Sequence, residues 1–459
     1  MIHRYQKKGL NFVLDVNSGA VHLLDDISYA VSGLLDENMG DTCPQSIIDA
    51  LPDYTADEIR EAYDELYELK KAGQLFAQDD YIDVSRYIPV NAPVKALCLH
   101  VAHDCNLRCQ YCFASTGDFG QGRKIMPPEI AKKAIDFVIA RSGVRHNIEV
   151  DFFGGEPLMA WDTVTQTVDY ARSLEEKYNK KFRFTITTNG LLLDEDKRKY
   201  INENMDNCVL SLDGRREVND EFRKTVAGTG SYDTIVPKFK ALVDERDPNL
   251  DYYARGTFTS HNLDFAEDVL SIADAGFDRL SVEPVTADPG CGYDLTEDDL
   301  PKIEAEYDRL TDIMLERKKE GKPFTFFHLH GRSGSGPCVV KRLRGCGAGY
   351  EYVAVTPDGD IYPCHQFVGK DEFKQGSVLD QSFNMDIAQK FAGMNIYSRP
   401  KCQKCWAKFY CSGGCSAANY NMNHDMNDSY DLGCEMERKR LECAIYLKAM
   451  DKICANQSK

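Results

Sequence analysis

The sequence predicts an α/β protein built from three successive regions, and three observations carry that prediction. Six apolar runs alternate with helical stretches through the middle of the chain, a pattern that indicates parallel βαβ units. About the first 90 residues instead have the pattern of a hairpin followed by helices. From about residue 322 the chain is rich in Gly, Cys and short polar segments, which is typical of a region stabilised by bound metal.

The N-terminal region, taken as residues 1–90, is predicted to be winged-helix-like. Two apolar-alternating runs, at 11–16 and 20–24, flank Asn17-Ser18-Gly19, which has the composition of a hairpin turn. Helices are expected from about 26 to 36 and from about 55 to 72, where apolar residues recur at helical spacing. The hairpin predicts a free strand edge somewhere between residues 10 and 24.

The middle region, taken as residues 91–321, is predicted to contain the six parallel strands. Periodicity alone does not separate an open doubly wound sheet from a partial barrel. The strands are expected at about 96–101, 148–153, 182–188, 208–212, 252–259 and 280–283. The helices between them are expected at about 128–141, 163–180, 194–204, 235–244 and 264–275.

Length and composition exclude several classes of protein. With 459 residues and 43% hydrophobic content, the chain can bury a large core, so its 17 cysteines are not the framework of a small disulfide-rich domain. It lacks the apolar run of a signal peptide and any stretch of ~18 apolar residues. We therefore expect a cytoplasmic protein with metal-binding thiols and no membrane partner. A net charge of −18 argues against a nucleic-acid partner.

Ten of the cysteines fall into spaced groups, and the first group is the most informative. Cys105, Cys109 and Cys112 directly follow the first predicted strand. Three thiolates this close can hold three irons of a [4Fe–4S] cluster and leave the fourth iron open, because such clusters normally take four cysteines. A structural zinc site is the alternative, although zinc prefers a closed tetrahedral set. The other spaced cysteines are Cys346, Cys364, Cys402, Cys405, Cys411, Cys415 and Cys434.

The segment from Cys105 to Phe113 reads Cys-x-x-x-Cys-x-Tyr-Cys-Phe and resembles the signature of the radical S-adenosylmethionine (SAM) enzymes. The resemblance implies a partial (β/α)6 radical SAM barrel, with the amino and carboxylate groups of SAM on the open iron. It also implies cleavage of SAM to a 5′-deoxyadenosyl radical. Tyr111, inside the motif, is expected to lie at the SAM site.

Gly154-Gly155-Glu156-Pro157 follows the second predicted strand and is similar to the motif with which this family binds the SAM amino group. Paired glycines let a backbone approach a ligand closely, which suits that role. Arg223 is expected on the SAM carboxylate, since a guanidinium binds a carboxylate bidentately. An ordinary surface arginine is the alternative for Arg223.

Polar residues also end the third and fourth predicted strands. Thr188 and Asn189 end the third, and Ser211 and Asp213 end the fourth. The resemblance implies SAM contacts for such positions, with Ser211 and Asp213 on the ribose. Turn chemistry is the alternative, because Asn-Gly and Asp-Gly are common turn dipeptides. Glu283 ends the sixth strand and is expected at the same rim.

The seven later cysteines resemble the pattern of a SPASM domain, here taken as residues 322–459, which carries two auxiliary iron–sulfur clusters. The chain would then hold three [4Fe–4S] clusters. The ligands implied are Cys402, Cys405, Cys411 and Cys434 for the distal cluster, and Cys346, Cys364 and Cys415 for the nearer one. Seven ligands leave one iron short. Either Cys338 supplies the last ligand or that iron stays open for a substrate thiolate.

Over essentially the whole chain, the resemblance is to radical SAM/SPASM peptide maturases, and most to the thioether-forming SCIFF peptide maturases. It implies an oxidoreductase that joins a Cys sulfur to an α-carbon, a sactionine cross-link, in a ribosomally made Cys-rich precursor peptide. It also implies an external electron donor. Residues 1–90 resemble a PqqD-like domain, which binds a leader peptide as an added strand; a structural cap is the alternative. The sequence identifies no catalytic acid or base.

Three other functions remain open at the level of sequence. An anaerobic sulfatase-type maturase shares the barrel and the SPASM cysteines and oxidises a Cys or Ser within a protein. A quinone-cofactor or mycofactocin-type maturase forms or breaks carbon–carbon bonds. An iron–sulfur electron-transfer protein or a zinc-binding scaffold needs no SAM.

Overall fold

A computed structural model describes residues 1–83, 92–329 and 339–457 of the chain; Cys338 lies outside these ranges. The N-terminal region is an antiparallel sheet of β1 (Ile2–Lys7), β2 (Leu10–Asp15) and β3 (Val21–Leu24), in that order. Lys8 and Gly9 join β1 to β2 with positive φ at both positions, as a two-residue hairpin turn requires.

Strand β1 changes the expected free edge of the N-terminal region. The hairpin pattern predicts β2 and β3 but not β1, whose side chains are mostly polar. Because β1 pairs with β2 along its whole length, the edge within residues 10–24 lies along β3 and not along β2. The edge strands are β1 and β3, and β3 exposes Val21 and Leu23 to solvent.

Helices cover one face of this sheet and the C-terminal helix covers the other. Val13 packs among the buried residues of the N-terminal helices, whereas Phe12 and Leu14 pack on Leu441 and Ile445. The alternation of the strand therefore buries both faces. The helices of this region are Asp26–Ser32, Gln45–Ala50 and Ala56–Lys71.

The middle region forms the predicted sheet. Its strands are β4 (Ala96–His103), β5 (Lys124–Ile125), β6 (Asn147–Gly154), β7 (Lys181–Thr188), β8 (Asn207–Ser211), β9 (Asp251–Phe258) and β10 (Arg279–Pro284). A short strand just beyond residue 321, β11 (Thr325–Phe326), completes the parallel series. The parallel strands follow one another in chain order from β4 through β6 to β11, and β5 pairs antiparallel with β4. Parallel strands are joined by right-handed crossovers, and here each crossover leads to the next strand in the same direction. The helices therefore lie on one face of the sheet, and the sheet curls around the other face. The predicted α/β class is confirmed, and each predicted strand and helix lies where expected.

Helices alternate with these strands and form the main core with them. Phe152 and Phe184, fully buried on neighbouring strands, pack with Val168 of the helix between those strands. The helices are Pro128–Arg141, Trp161–Tyr178, Glu195–Asn204, Arg216–Phe222, Tyr232–Asp244, Phe265–Asp274 and Leu300–Lys319. The last is absent from the sequence prediction, although Ile303, Tyr307 and Leu310 are its buried stripe.

The C-terminal region extends the same sheet. β12 (Tyr352–Val355) pairs parallel with β4, and β13 (Asp360–Tyr362), β14 (Gly376–Ser377) and β15 (Ser382–Phe383) continue it antiparallel. The helices are Val339–Arg344, Met385–Gly393, Pro400–Gln403, Lys408–Cys411, Ser416–Asn423 and Asp431–Gln457. Among the described helices, none is both long and apolar enough to cross a bilayer.

Candidate functional site

The loop after β4 brings Cys105, Cys109 and Cys112 together at the carboxyl end of the sheet. Burial raises the pKa of the Cys105 thiol to about 12, and the nearby Glu156 and the other two thiols add to the shift. Burial likewise raises the pKa of Cys109 to about 12. Buried thiols of this kind become thiolates when a metal replaces the proton.

The glycine pair after β6 packs directly against this loop. A Cβ atom on Gly154 would lie 2.2 Å from the oxygen of Ala102, and one on Gly155 would lie 2.2 Å from that of Asp104. The backbone N–H groups of Gly155 and Glu156 donate to those same oxygens, at 2.7 and 2.9 Å. The glycines thus admit the cysteine loop; their contact with the SAM amino group stays a prediction.

Glu156 joins this loop to the end of β7. Its carboxylate accepts hydrogen bonds from the Thr188 hydroxyl and the Asn189 N–H, both at 2.8 Å. The Asn189 amide donates to Asn106 Oδ1 at 2.8 Å and lies 3.5 Å from the Cys105 sulfur. Burial raises the pKa of Glu156 to about 7 despite these donors. Residues predicted at the SAM site therefore orient a predicted iron ligand.

A second buried network joins Tyr111, Asp213 and Arg223. The Asp213 carboxylate accepts hydrogen bonds from the Tyr111 hydroxyl at 2.5 Å, from Arg223 Nη2 at 2.9 Å and from the Thr257 N–H at 2.9 Å. The Arg223 guanidinium also lies 5.5 Å from the centre of the Tyr111 ring. Asp213 and Arg223 thus neutralise each other, and their contacts with SAM stay predictions.

Two more predicted SAM contacts lie at the same rim. Pro157 is buried and begins the 3-10 turn Pro157–Ala160 directly after the glycine pair. Ser211 is the last residue of β8 and is partly exposed. Both positions suit a ligand at the carboxyl ends of the strands, and both roles stay predictions.

The electrostatic influence of the later thiols on one another divides them into two groups. Burial raises the pKa of Cys411 to about 12, and the thiols of Cys434, Cys402 and Cys405 contribute. Burial also raises the pKa of Cys364, with contributions from Cys415 and Cys346. The thiols within each group are therefore close enough to influence one another. Their roles as iron ligands stay predictions.

A cavity lies where the predicted ligand sets of the two auxiliary clusters approach each other. This cavity, of about 330 Å³ at the end of β10, is lined by the thiols of Cys411, Cys415 and Cys434. Across residues 1–83, 92–329 and 339–457, no three His, Cys, Asp or Glu side chains are placed to share one metal ion.

Glu283 also lines this cavity, at the end of β10. Its carboxylate lies 3.5 Å from His328, 3.6 Å from Arg255 and 3.9 Å from Arg440. Burial alone would raise its pKa, but these three groups together hold the pKa below its usual value. Arg255, His328 and Arg440 are far apart in the sequence, so the sequence alone does not indicate that they meet at Glu283.

Two family models match the chain. Residues 99–253 match the Radical SAM superfamily, and residues 346–406 match SPASM, an iron–sulfur cluster-binding domain. The cysteine-type anaerobic sulfatase-maturating enzyme of Clostridium novyi is 25% identical over 354 residues, 72% of this chain and 90% of that protein. Mycofactocin maturase MftC of Mycolicibacterium smegmatis is 26% identical over 337 residues, 72% of this chain and 80% of that protein.

Solved structures share the fold. Native anSMEcpe with bound AdoMet and the Cp18Cys peptide has a TM-score of 0.63 at 21% identity, covering 78% of this chain and 99% of that one. Streptococcus suis SuiB bound to S-adenosylmethionine has a TM-score of 0.53 at 17% identity, covering 94% and 98%. The chain therefore contains a radical SAM domain and a SPASM domain, which imply [4Fe–4S] clusters and SAM as cofactors.

Proposed function

We propose that this chain is a peptide maturase that forms thioether bonds between Cys sulfurs and α-carbons in a ribosomally made, Cys-rich precursor peptide. The observation that carries the proposal is the nearer auxiliary group, where the thiols of Cys346 and Cys415 act on that of Cys364. A four-iron cluster takes four ligands, so a thiolate of the peptide can complete this one. Cys338 is the competing fourth ligand.

The N-terminal region supports a peptide substrate delivered by its leader. Strand β3 is an edge strand with exposed Val21 and Leu23, the kind of edge to which an extended peptide adds as a strand. Since 78% of this chain covers 99% of anSMEcpe, this chain carries additional structure that such an enzyme lacks. We assign the leader-binding role to residues 1–90.

The proposed cofactors are three [4Fe–4S] clusters and SAM, with an external electron donor. Bound together, they would supply a radical that removes an α-hydrogen and an acceptor for the electron released by coupling. The residues that would hold the clusters are Cys105, Cys109 and Cys112; Cys346, Cys364 and Cys415; and Cys402, Cys405, Cys411 and Cys434.

The chain's own residues would position these groups and move a proton. Glu156 and Asn189 fix the loop of Cys105, and the Asp213–Arg223 pair holds Tyr111 of the same loop. Glu283 faces the cavity that Cys415 lines and is kept ionised by its cations. It is placed to accept the proton of a peptide thiol as that thiol approaches.

The test is anaerobic incubation of the reconstituted chain with SAM, a reductant and synthetic Cys-rich peptides carrying a leader. We expect a loss of two hydrogens per cross-link, protection of one thiol per cross-link from alkylation, and no reaction with Cys-to-Ser peptides. A C105A/C109A/C112A variant should produce no 5′-deoxyadenosine. Peptides that lose mass while all thiols remain alkylatable would refute thioether formation.

A sulfatase-type maturase is the second candidate, favoured by the relatives of that class. The C. novyi enzyme is covered over 90% of its length. Such an enzyme needs no leader, so it would oxidise a Cys or Ser in a leaderless substrate as well as in a leader-bearing one. Reaction with both peptides at equal rates, with an aldehyde product trapped by a hydrazine, would favour this alternative.

A further inference from the structure

Arg399 is a buried cation between the two auxiliary cysteine groups. Arg399 is only 2% exposed and lies directly before the short helix that carries Cys402. Nη1 donates to the Gly413 oxygen at 2.7 Å and Nη2 donates to Ser416 Oγ at 2.9 Å. The buried Nε has no hydrogen-bond partner within the described part of the chain.

No carboxylate neutralises Arg399 among residues 1–83, 92–329 and 339–457. The groups that act on its charge are thiols of both auxiliary sets: Cys402, Cys411, Cys415 and Cys346. An unpaired buried charge is strongly unfavourable. Thiolates bound to iron would supply the missing negative charge, so the guanidinium fits a protein whose clusters are loaded.

The Gly-Gly turn between Cys411 and Cys415 is shaped around this guanidinium. Gly413 has a φ of +87°, and a Cβ atom there would lie 2.1 Å from Arg399 Nη1. A glycine is therefore required for two reasons, conformation and space. The turn joins a proposed ligand of the distal cluster to a proposed ligand of the nearer one, and Arg399 fixes it from inside.

We propose that Arg399 is the shared counter-ion of the two auxiliary clusters and that its charge raises their reduction potentials. The inference rests on the proposed ligand sets. Reduction adds negative charge, which a nearby buried cation stabilises more than it stabilises the oxidised form. The charge and hydrogen bonds around a cluster are known determinants of its potential.

A raised potential suits the proposed coupling, which releases one electron. The α-hydrogen leaves with the deoxyadenosyl radical, the thiol proton leaves to a base, and a C–S bond forms between thiolate and carbon radical. That bond leaves one electron over, which a [4Fe–4S] cluster can accept. Arg399 acts here as a positioning residue, because it influences electron acceptance without contacting the substrate.

The test is an EPR-monitored redox titration of the reconstituted full chain carrying Arg399→Gln. We expect the midpoint potentials of the auxiliary clusters to become more negative by at least about 59 mV, which is a tenfold change in a one-electron equilibrium constant. The SAM-site cluster should titrate as in the wild type and so serves as an internal reference. R399K keeps the charge and should shift less than R399Q.

Arg246 provides the matched control. Arg246 is also buried, with 7% of its surface exposed. Its guanidinium donates to the backbone oxygens of Asp251 and Met205 and to Asn202 Oδ1. Among the described residues, no carboxylate pairs with it. R246Q should lower the melting temperature and leave all cluster potentials unchanged. A shift in R246Q equal to that in R399Q would overturn the inference.

Iron analysis separates this inference from the proposed function. If C402A/C405A retains wild-type iron, the ligand assignment fails; if it loses iron while R399Q keeps both iron and wild-type potentials, only the counter-ion inference fails. Loss of auxiliary iron in R399Q but not in R399K supports the inference, because R399K keeps the positive charge and R399Q removes it. Equal loss in both variants overturns it.

Discussion

The imidazole of His3 lies flat on the indole of Trp406, with ring centroids 3.7 Å apart and planes inclined by 2°. His3 Nε2 also lies 2.9 Å from a carboxylate oxygen of Glu442. Trp406 directly follows Cys405, a proposed ligand of the distal cluster. The N-terminal sheet is therefore packed directly against a proposed iron site.

Substitution of His3 tests how strongly this contact holds the N-terminal sheet. H3A should reduce the free energy of unfolding by about 1–2 kcal/mol, because both an aromatic stack and a hydrogen bond are lost. Urea denaturation measures the loss. H22A removes one solvent-exposed hydrogen bond, to the Gln74 carbonyl oxygen; it is the control and should cost less than about 0.5 kcal/mol. An equal loss in both variants would contradict the importance of the His3 contact.

Lys7 makes the second connection of the N-terminal sheet. Its buried ammonium donates to Asp308, which also accepts from Lys439 Nζ at 2.6 Å. Burial would raise the pKa of Asp308, but these two hydrogen bonds lower it below the usual value. Because the folded pKa is depressed, the stabilisation is present above the unfolded pKa of about 3.9 and is lost as the pH falls through the folded pKa.

D308N should therefore be less stable than the wild type at pH 7, by about 1–2 kcal/mol given the partial exposure of Asp308. The difference should shrink as the pH falls below about 4. Unfolding free energies measured from pH 3 to pH 8 check this. The control is E320Q, at the C-terminal end of the helix that carries Asp308, where the described residues show no ion pair. A difference independent of pH would count against the ion pair of Asp308.

Asp151 should give the opposite pH dependence of the free energy of unfolding. It lies on the lumen side of β6, and burial raises its pKa to about 7, with Glu149 adding to the shift. Its folded pKa lies above the unfolded one, so stability falls as the pH rises from about 4 to about 7. D151N removes this penalty and should gain about 1–2 kcal/mol at pH 8 but nothing near pH 4. Thermal melts at both values measure it, and a gain at pH 4 would argue against this cause.

Gly155 should be intolerant of a methyl group. G155A would push a Cβ atom into the Asp104 carbonyl at 2.2 Å and displace the loop of Cys105. We expect loss of roughly a third of the iron, if three cubes are bound, and loss of SAM cleavage. Gly40 has open space around its Cβ position, so G40A should keep full iron, and full iron in G155A would contradict the packing argument.

The β3 edge should control substrate recognition. A V21D/L23D double variant places two charges where an apolar leader strand would pack. We expect peptide affinity, measured by fluorescence anisotropy, to fall at least tenfold while uncoupled SAM cleavage is unchanged. L34D alters another exposed apolar residue and should bind as the wild type does. Unchanged affinity in the double variant would favour a structural cap.

The sequence predicts the strands of the barrel well because their apolar residues alternate along the whole run. It predicts the helix Asp431–Gln457 poorly, for a physical reason. Leu441 and Ile445 face the N-terminal sheet, whereas Met436 and Cys443 face the barrel core. Apolar residues on two faces leave no single stripe for periodicity to find.

In the candidate site, too, some features can be predicted from the sequence and others cannot. Spacing along the chain puts Cys415 with Cys411, whereas in the structure Cys415 acts on Cys364. The resemblance to SPASM domains, rather than spacing, implies that grouping. The roles of Arg399 and of the cations around Glu283 have no such signal, since a lone arginine reads as a surface residue. Only the fold brings Arg255, His328 and Arg440 to one carboxylate.

The parallel pairing of β12 with β4 has a consequence for how the protein is made. Tyr352 pairs with Ala96 and Val355 with Leu99, so the first barrel strand receives this neighbour only after most of the chain has emerged from the ribosome. Until then β4 presents an open edge, and contacts this distant in sequence form slowly. The barrel and the cysteine-rich region therefore complete each other late in synthesis, and truncation before residue 352 should yield an aggregating chain.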